Sequence, residues 1–338
     1  GPGRFEVGVT PLSLPDRKVE VWYPALADST AGLAEATYSQ LDALPPALAA
    51  AAPALLPKDV SPSVLTVTMA GTHRDVPGSE NGPFPLVLFS HGFGSYRMDA
   101  SALLRGIASW GFVVAAPDHL ERGRAAVVTG TATDDTATDV RVLLDTIPLV
   151  RDAGGPLEGL TDAGRVAAVG HSAGGRAALT ALSDPQVRVA VGWAAAGRED
   201  GPAPDEPSMN IAAKDDVLVP LPEIRATYAG LSPPKRLVVI DGAGHNSFTD
   251  VCLAVKAGND LIGLAQRIGI ALPDELAEGG RDGCGPESID TRLGWEITQH
   301  FTVAELRDGL GLDAVPVGLG RGVTRQFAVP VEYRQDLG

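Results

Sequence analysis

The chain is poor in cysteine and in positive charge, and it has no long apolar run. Two cysteines in 338 residues, Cys252 and Cys284, are too few for a disulfide-built scaffold. No His, Cys or Asp spacing of the zinc-ligand type occurs, so no metal or cofactor is expected. Lys and Arg number 27 against 42 Asp and Glu, a net charge of −15. With no basic cluster, nucleic acid and anionic membrane surfaces are poor partners, and long-range repulsion disfavours anionic substrates. No apolar stretch approaches the roughly 20 residues needed to span a bilayer. No internal repeat occurs, and the first residues do not read as a signal peptide. Gly1-Pro2-Gly3-Arg4 reads as the remnant of a cleaved tag, so a missing leader says little about location. The two cysteines flank one polar stretch and read as a staple. Closing that loop would contribute roughly 3–4 kcal/mol, and it implies an oxidising compartment, secreted or periplasmic.

What is present suits one large α/β domain over residues 1–338, with 44% hydrophobic and 20% charged residues. Val7–Val9 and Val19–Tyr23 read as edge-like strands. Residues 31–60, rich in Ala, Leu and Pro, read as a surface insertion of short helices. Val64–Met69 reads as a further strand. Pro85–Ser90 is a continuous apolar strand of the buried parallel kind. It is followed by a helix over 102–109, a strand over 112–116 and a helix over 134–149 with the stripe Val140, Leu143, Leu144 and Ile147. Further strands are predicted at 187–191, 209–212 and 236–240, with a helix over 221–228. Residues 250–285 read as a largely helical insertion, 291–310 as a helix and 326–333 as a last strand. Strands alternating with helices predict a mostly parallel sheet covered on both faces.

Arg165–Val169 leads into Gly170-His171-Ser172-Ala173-Gly174, and a plausible helix follows. This is the G-x-S-x-G pattern of a strand that breaks at a strained serine and continues as a helix. A Gly-rich turn with an ordinary serine is the plainer alternative in a chain with 40 glycines. The strand before and the helix after favour the nucleophile.

A serine hydroxyl needs a base, and the base needs an orienting acid. Two histidines follow Ser172. His245 sits in a Gly-rich loop after a late strand and is the predicted base; His300, in mid-helix, reads as a surface residue. The acid is expected after the intervening strand, where Asp215 and Asp216 both stand. Asp216 is preferred, with the spare aspartate capping the next helix. Asp200 and Asp205 are weaker candidates. The oxyanion needs backbone N–H donors, predicted at Ala173 and, in the loop His91-Gly92-Phe93-Gly94, at Phe93. His91 reads as structural. Asp134, Asp135 and Asp139 read as a solvated helix start rather than a calcium site.

Together these residues resemble the α/β-hydrolase superfamily over roughly residues 84–250. Phe89–Arg97, Trp110–His119, Val21–Pro24 and His245–Asp250 resemble the platelet-activating-factor acetylhydrolase and dienelactone-hydrolase-like esterases; the cutinase-like polyester hydrolases share the plan. The resemblance implies an α/β-hydrolase fold with helical insertions near the active site, and ester hydrolysis of a small-molecule or polymeric substrate. The acid here lies one strand later than in the acetylhydrolases, as in cutinase-like enzymes. The nucleophile is serine, where dienelactone hydrolases proper use cysteine. Trp193 is placed either along an acyl pocket or in the core. The expected activity is that of a serine esterase or lipase-like enzyme. Alternatives are a polyester hydrolase and a catalytically silent binding protein.

Overall fold

The computed structural model describes residues 1–199, 201, 204–258, 260–267, 277 and 279–338. Its central strand, β6 (Phe84–Ser90), is buried at all seven positions, as happens only when both faces of a sheet are covered. Side chains of β6 alternate between two cores. Val87 and Phe89 pack on one side with helix residues Leu103, Ile107, Ile297 and Phe301. Leu86 and Leu88 pack on the other with Leu143, Ile147, Ala178 and Leu179. The first side is covered by α2 (Ser101–Ala108) and α9 (Thr291–Gly309), the second by α4 (Thr136–Arg151) and α5 (Ala173–Ala181).

Around β6 the sheet has ten strands. They are β1 (Val7–Ser13), β2 (Lys18–Pro24), β5 (Thr72–Arg74), β6, β7 (Val113–Pro117), β8 (Thr161–His171), β9 (Val187–Trp193), β10 (Ser208–Ala213), β11 (Lys235–Ile240) and β12 (Val331–Asp336). The spatial order is β12-β11-β10-β9-β8-β6-β7-β2-β1-β5. From β7 through β11 all pairings are parallel. The chain places β7 on one side of β6 and then returns to lay β8 on the other. Ligands of open α/β sheets gather where the winding reverses, outside the carboxyl ends of the strands. Here that point lies between the ends of β6 and β8, beside Ser90 and His171.

Two expectations shift. The last strand begins at Val331 rather than Gln326. Pro330 has no N–H to give a ladder, and residues 323–326 form a 3-10 turn before it. Leu65 likewise belongs to a 3-10 turn, Pro62–Leu65, whose start is capped by Ser61. Only Thr66–Thr68 is extended there, as β4, pairing with β3 (Thr37–Ser39) in a separate ribbon. Within 31–60, α1 (Pro46–Leu55) buries none of its residues, while Ala36, Tyr38 and Ala43 are buried in the core.

Among the described residues the remaining helices are α3 (Arg124–Thr129), α6 (Leu221–Gly230), α7 (Val251–Lys256) and α8 (Leu261–Arg267). Cys252 of α7 is joined to Cys284 by a disulfide, S–S 2.01 Å, across 32 residues of sequence. Both half-cystines are buried. Loop closure of that length predicts that Cys252→Ser lowers the unfolding free energy by roughly 3–4 kcal/mol. Urea denaturation of the variant beside the wild type checks this; an unshifted midpoint contradicts it.

Candidate active site

The turn after β8 holds Ser172 at φ 57°, ψ −124°, a conformation a non-glycine residue adopts only when its surroundings impose it. Those surroundings are backbone. A Cβ on Gly170 would come within 2.1 Å of the Gly174 carbonyl oxygen, and a Cβ on Gly174 within 2.0 Å of the Ser90 carbonyl oxygen. The flanking glycines therefore let α5 start directly against the end of β6. The Ser172 N–H donates to the Trp193 carbonyl at 2.8 Å, and its carbonyl accepts from Gly175 and Arg176 N–H. Ala173 is the first residue of α5, so its N–H has no carbonyl of its own helix to bond.

The loop after β6 lies against this turn: a Cβ on Gly92 would be 3.4 Å from the Ser172 Cβ. Phe93, the next residue, is 49% exposed. The loop is held from beneath by a buried polar cluster. Arg122, fully buried, donates through Nη1 to the His91 carbonyl, through Nη2 to Ser90 Oγ at 2.9 Å and through Nε to Asp139 Oδ2 at 2.7 Å. His119 N–H donates to His91 Nε2 at 2.9 Å, so His91 carries its proton on Nδ1 and gives it to the Gly92 carbonyl at 2.9 Å. His119 itself reaches Ser90 Oγ at 2.8 Å and Asp139 Oδ1 at 2.9 Å. Burial, with Arg122 adding repulsion, pushes the pKa of both imidazoles well below the ordinary value, so both are neutral.

The predicted base and acid meet. His245 Nδ1 lies 2.8 Å from Asp216 Oδ2, and both residues are buried. Asp216 Oδ1 also accepts from Leu218 N–H at 2.9 Å and Val219 N–H at 2.7 Å, which fixes the carboxylate's orientation. With Nδ1 engaged, Nε2 is the nitrogen of His245 left for proton transfer. Asp215 is exposed, and its N–H donates to the Ala243 carbonyl. It does not cap the next helix; the turn after the strand is capped by Asp216 itself. Asp205 is exposed in its loop, and Asp200 lies outside the described residues.

Other sequence expectations change. Trp193 is fully buried; its indole Nε1–H donates to Thr302 Oγ1 at 2.9 Å, and its ring packs on Phe89. It belongs to the core and not to an acyl pocket. Asp139 is buried against Arg122 rather than solvated, whereas Asp135 does cap α4 and Asp134 pairs with Arg176. His300 is half-buried among Phe301 and Phe327, with Nε2 donating to the Gly318 carbonyl at 2.9 Å. His91 is structural, as expected. No cluster of three potential metal ligands occurs among the described residues. Sequence reasoning passed over His171, the variable position of the serine motif. It is buried and neutral, donates from Nε2 to the His245 carbonyl at 2.9 Å and packs its ring 4.7 Å from the His245 ring.

Known proteins resemble the chain in part of its sequence and in its fold. The family model described as platelet-activating factor acetylhydrolase, isoform II, matches residues 60–149, a segment that holds the β6 loop and its buried cluster. A stretch of 57 residues is 42% identical to the platelet-activating factor acetylhydrolase of Cavia porcellus; it covers 15% of this chain and 13% of that protein. Across nearly its whole length the chain resembles the ferulic acid esterase of Streptomyces cinnamoneus. The TM-score is 0.65 at 21% identity, over 99% of this chain and 98% of that one. The chain has the α/β-hydrolase fold.

One half-buried acid beside the site predicts a pH effect. Asp250 follows the His245 loop and accepts from Ser101 Oγ and, at 3.3 Å, from Ala102 N–H. Burial, which those hydrogen bonds only partly oppose, raises its pKa to about 7. An unfolded aspartate titrates near about 3.9. Between those values the folded chain holds a proton that the unfolded chain releases, so this contribution to stability falls as pH rises from 4 to 7. Asp250→Asn, which keeps the acceptor oxygen, should flatten that part of the stability profile in urea melts at pH 5 and pH 8. An unchanged slope would count against it.

Proposed function

We propose that the protein is a serine carboxylic ester hydrolase that works through an acyl-enzyme at Ser172. The observation that carries this reading is the His245–Asp216 contact at 2.8 Å, formed by residues that follow successive strands of the sheet that also presents Ser172. In the first half-reaction His245 Nε2 takes the hydroxyl proton as Ser172 Oγ bonds to the acyl carbon. Asp216 stabilises the resulting imidazolium. The oxyanion accepts from the N–H groups of Ala173 and Phe93, donors of a kind worth about 10²–10³ in turnover each. As the C–O bond breaks, the imidazolium returns its proton to the departing alkoxide, leaving the acyl group on Ser172. Water then repeats the sequence: its proton goes to His245, its oxygen to the acyl carbon, and Ser172 leaves with the proton returned.

The likeness to an acetylhydrolase and to a ferulic acid esterase supports ester substrates. The acid follows β10, one strand later than in the acetylhydrolases, so the likeness in the β6 region does not carry the acyl preference with it. Exposed apolar side chains at Phe93, Val217 and Leu218 favour a second reading, hydrolysis of a polyester on an open surface. The disulfide supports an oxidising location, secreted or periplasmic.

Ser172→Ala should abolish hydrolysis of p-nitrophenyl acetate with the far-UV circular dichroism unchanged. Asp216→Asn should lower turnover by several powers of ten, on the order of the 10⁴ seen when a triad aspartate is neutralised, and Asp215→Asn by less than about threefold, as for an exposed residue outside the constellation. Full turnover by Ser172→Ala contradicts the assignment, and the reverse ranking of the aspartates moves the acid to Asp215.

A further inference from the structure

The loop that carries His245 is docked on a segment that the catalytic scheme does not use. Asn246 N–H donates to the Asp282 carbonyl at 2.9 Å, Asn246 Nδ2 to the Gly279 carbonyl at 2.8 Å, and Ile289 N–H to the Gly242 carbonyl at 2.8 Å. Gly244 lies so close that a Cβ there would come within 2.5 Å of the Gly283 nitrogen. One side chain in this segment does more than dock. Asp282 Oδ2 accepts from the His245 N–H at 2.7 Å and from the Val217 N–H at 3.2 Å.

Val217 follows Asp216. A single carboxylate oxygen thus ties the backbone of the base to the backbone beside the acid. The same two loops are joined again at the side-chain level by the Asp216–His245 contact. One link would leave the imidazole free to rotate with its loop. Two links at different depths fix both the position of the His245 backbone and the direction of its ring. Two residues on, Cys284 is bonded to Cys252, and Cys284 N–H donates to the Arg281 carbonyl at 3.0 Å. The bridge therefore ties the stretch that carries Asp282 to α7.

We propose that Asp282 is a positioning residue that sets the alignment of His245 with Asp216, acting through the main-chain amides of His245 and Val217. It touches neither substrate nor the reacting atoms. What it contributes is register. Displacing a base by about 1 Å lowers turnover on the order of 10²-fold, so this acceptor acts mainly on the chemical step and little on binding. Among the described residues the titratable groups in contact with the imidazole are Asp216 at Nδ1 and the ring of neutral His171. Its proton affinity therefore reports how well Asp216 is aligned.

The inference rests on the proposed role of Ser172, His245 and Asp216, and the test separates the two. Asp282→Ala removes the acceptor; Asp282→Asn keeps an acceptor oxygen and removes only the charge. With p-nitrophenyl acetate, Asp282→Ala should lower kcat by about 10- to 100-fold with KM within about twofold. Asp282→Asn should recover turnover to within about threefold of wild type, since an amide oxygen can accept the same two N–H bonds. NMR titration of the His245 imidazole in all three proteins should give a lower pKa in Asp282→Ala than in Asp282→Asn, because loss of alignment weakens the stabilisation of the imidazolium. Wild-type kcat and an unshifted His245 titration in Asp282→Ala overturn the proposal, as does an Asn variant as impaired as the Ala variant. A wild type that hydrolyses no ester refutes the proposed function alone, and the titration still decides the role of Asp282.

Discussion

Everything at this site depends on how closely α5 abuts the end of β6. Gly174 sits where any side chain would strike the Ser90 and His91 carbonyls, and Gly170 where it would strike Gly174. That contact forces Ser172 into a positive φ and brings the β6 loop alongside it. The strain is offset by surroundings that leave no alternative: the Ser172 N–H is bonded to the end of β9, and β8 on which the turn rides is buried over its last six residues. A loosened turn would separate the hydroxyl and the Ala173 amide from the Phe93 amide, and the proposed oxyanion chemistry relies on both amides.

The β6 loop has to be rigid for those amides to be useful, yet glycine-rich backbone is the least rigid there is. The structure meets this with Arg122. A guanidinium removed from water is unfavourable unless its donors are matched, and here they are, by Asp139, Ser90 and the His91 carbonyl. His91 and His119, kept neutral by burial, add a second tier: the His91 ring accepts from and donates to the main chain, and the His119 ring reaches the side chains of Ser90 and Asp139. The match to the acetylhydrolase family model stops before Ser172 and so falls on this supporting layer rather than on the nucleophile.

What was legible in the sequence was whatever chain order and strand ends express. The serine motif, the histidine after a late strand and the aspartate before it all follow from the rule that chemistry collects at the carboxyl ends of parallel strands. Less legible was anything set by which face of an element turns inward. Trp193 ends a strand, and nothing local says whether its ring faces an opening or the layer that holds Phe89 and Thr302. Asp139 looked like one acid among three at a helix start until its partner, 17 residues earlier, was in place. Asp282 was illegible for a different reason. It binds main-chain amides 37 and 65 residues away, and an amide leaves no mark in a sequence.

The account stands or falls on the reactivity of one hydroxyl. Treating the folded protein with a fluorophosphonate and mapping the adduct by peptide mass spectrometry measures it directly. The account predicts one equivalent of phosphonate, attached at Ser172, with labelling strongly slowed in His245→Ala. A protein that takes up no phosphonate, or takes it up at another residue, contradicts it.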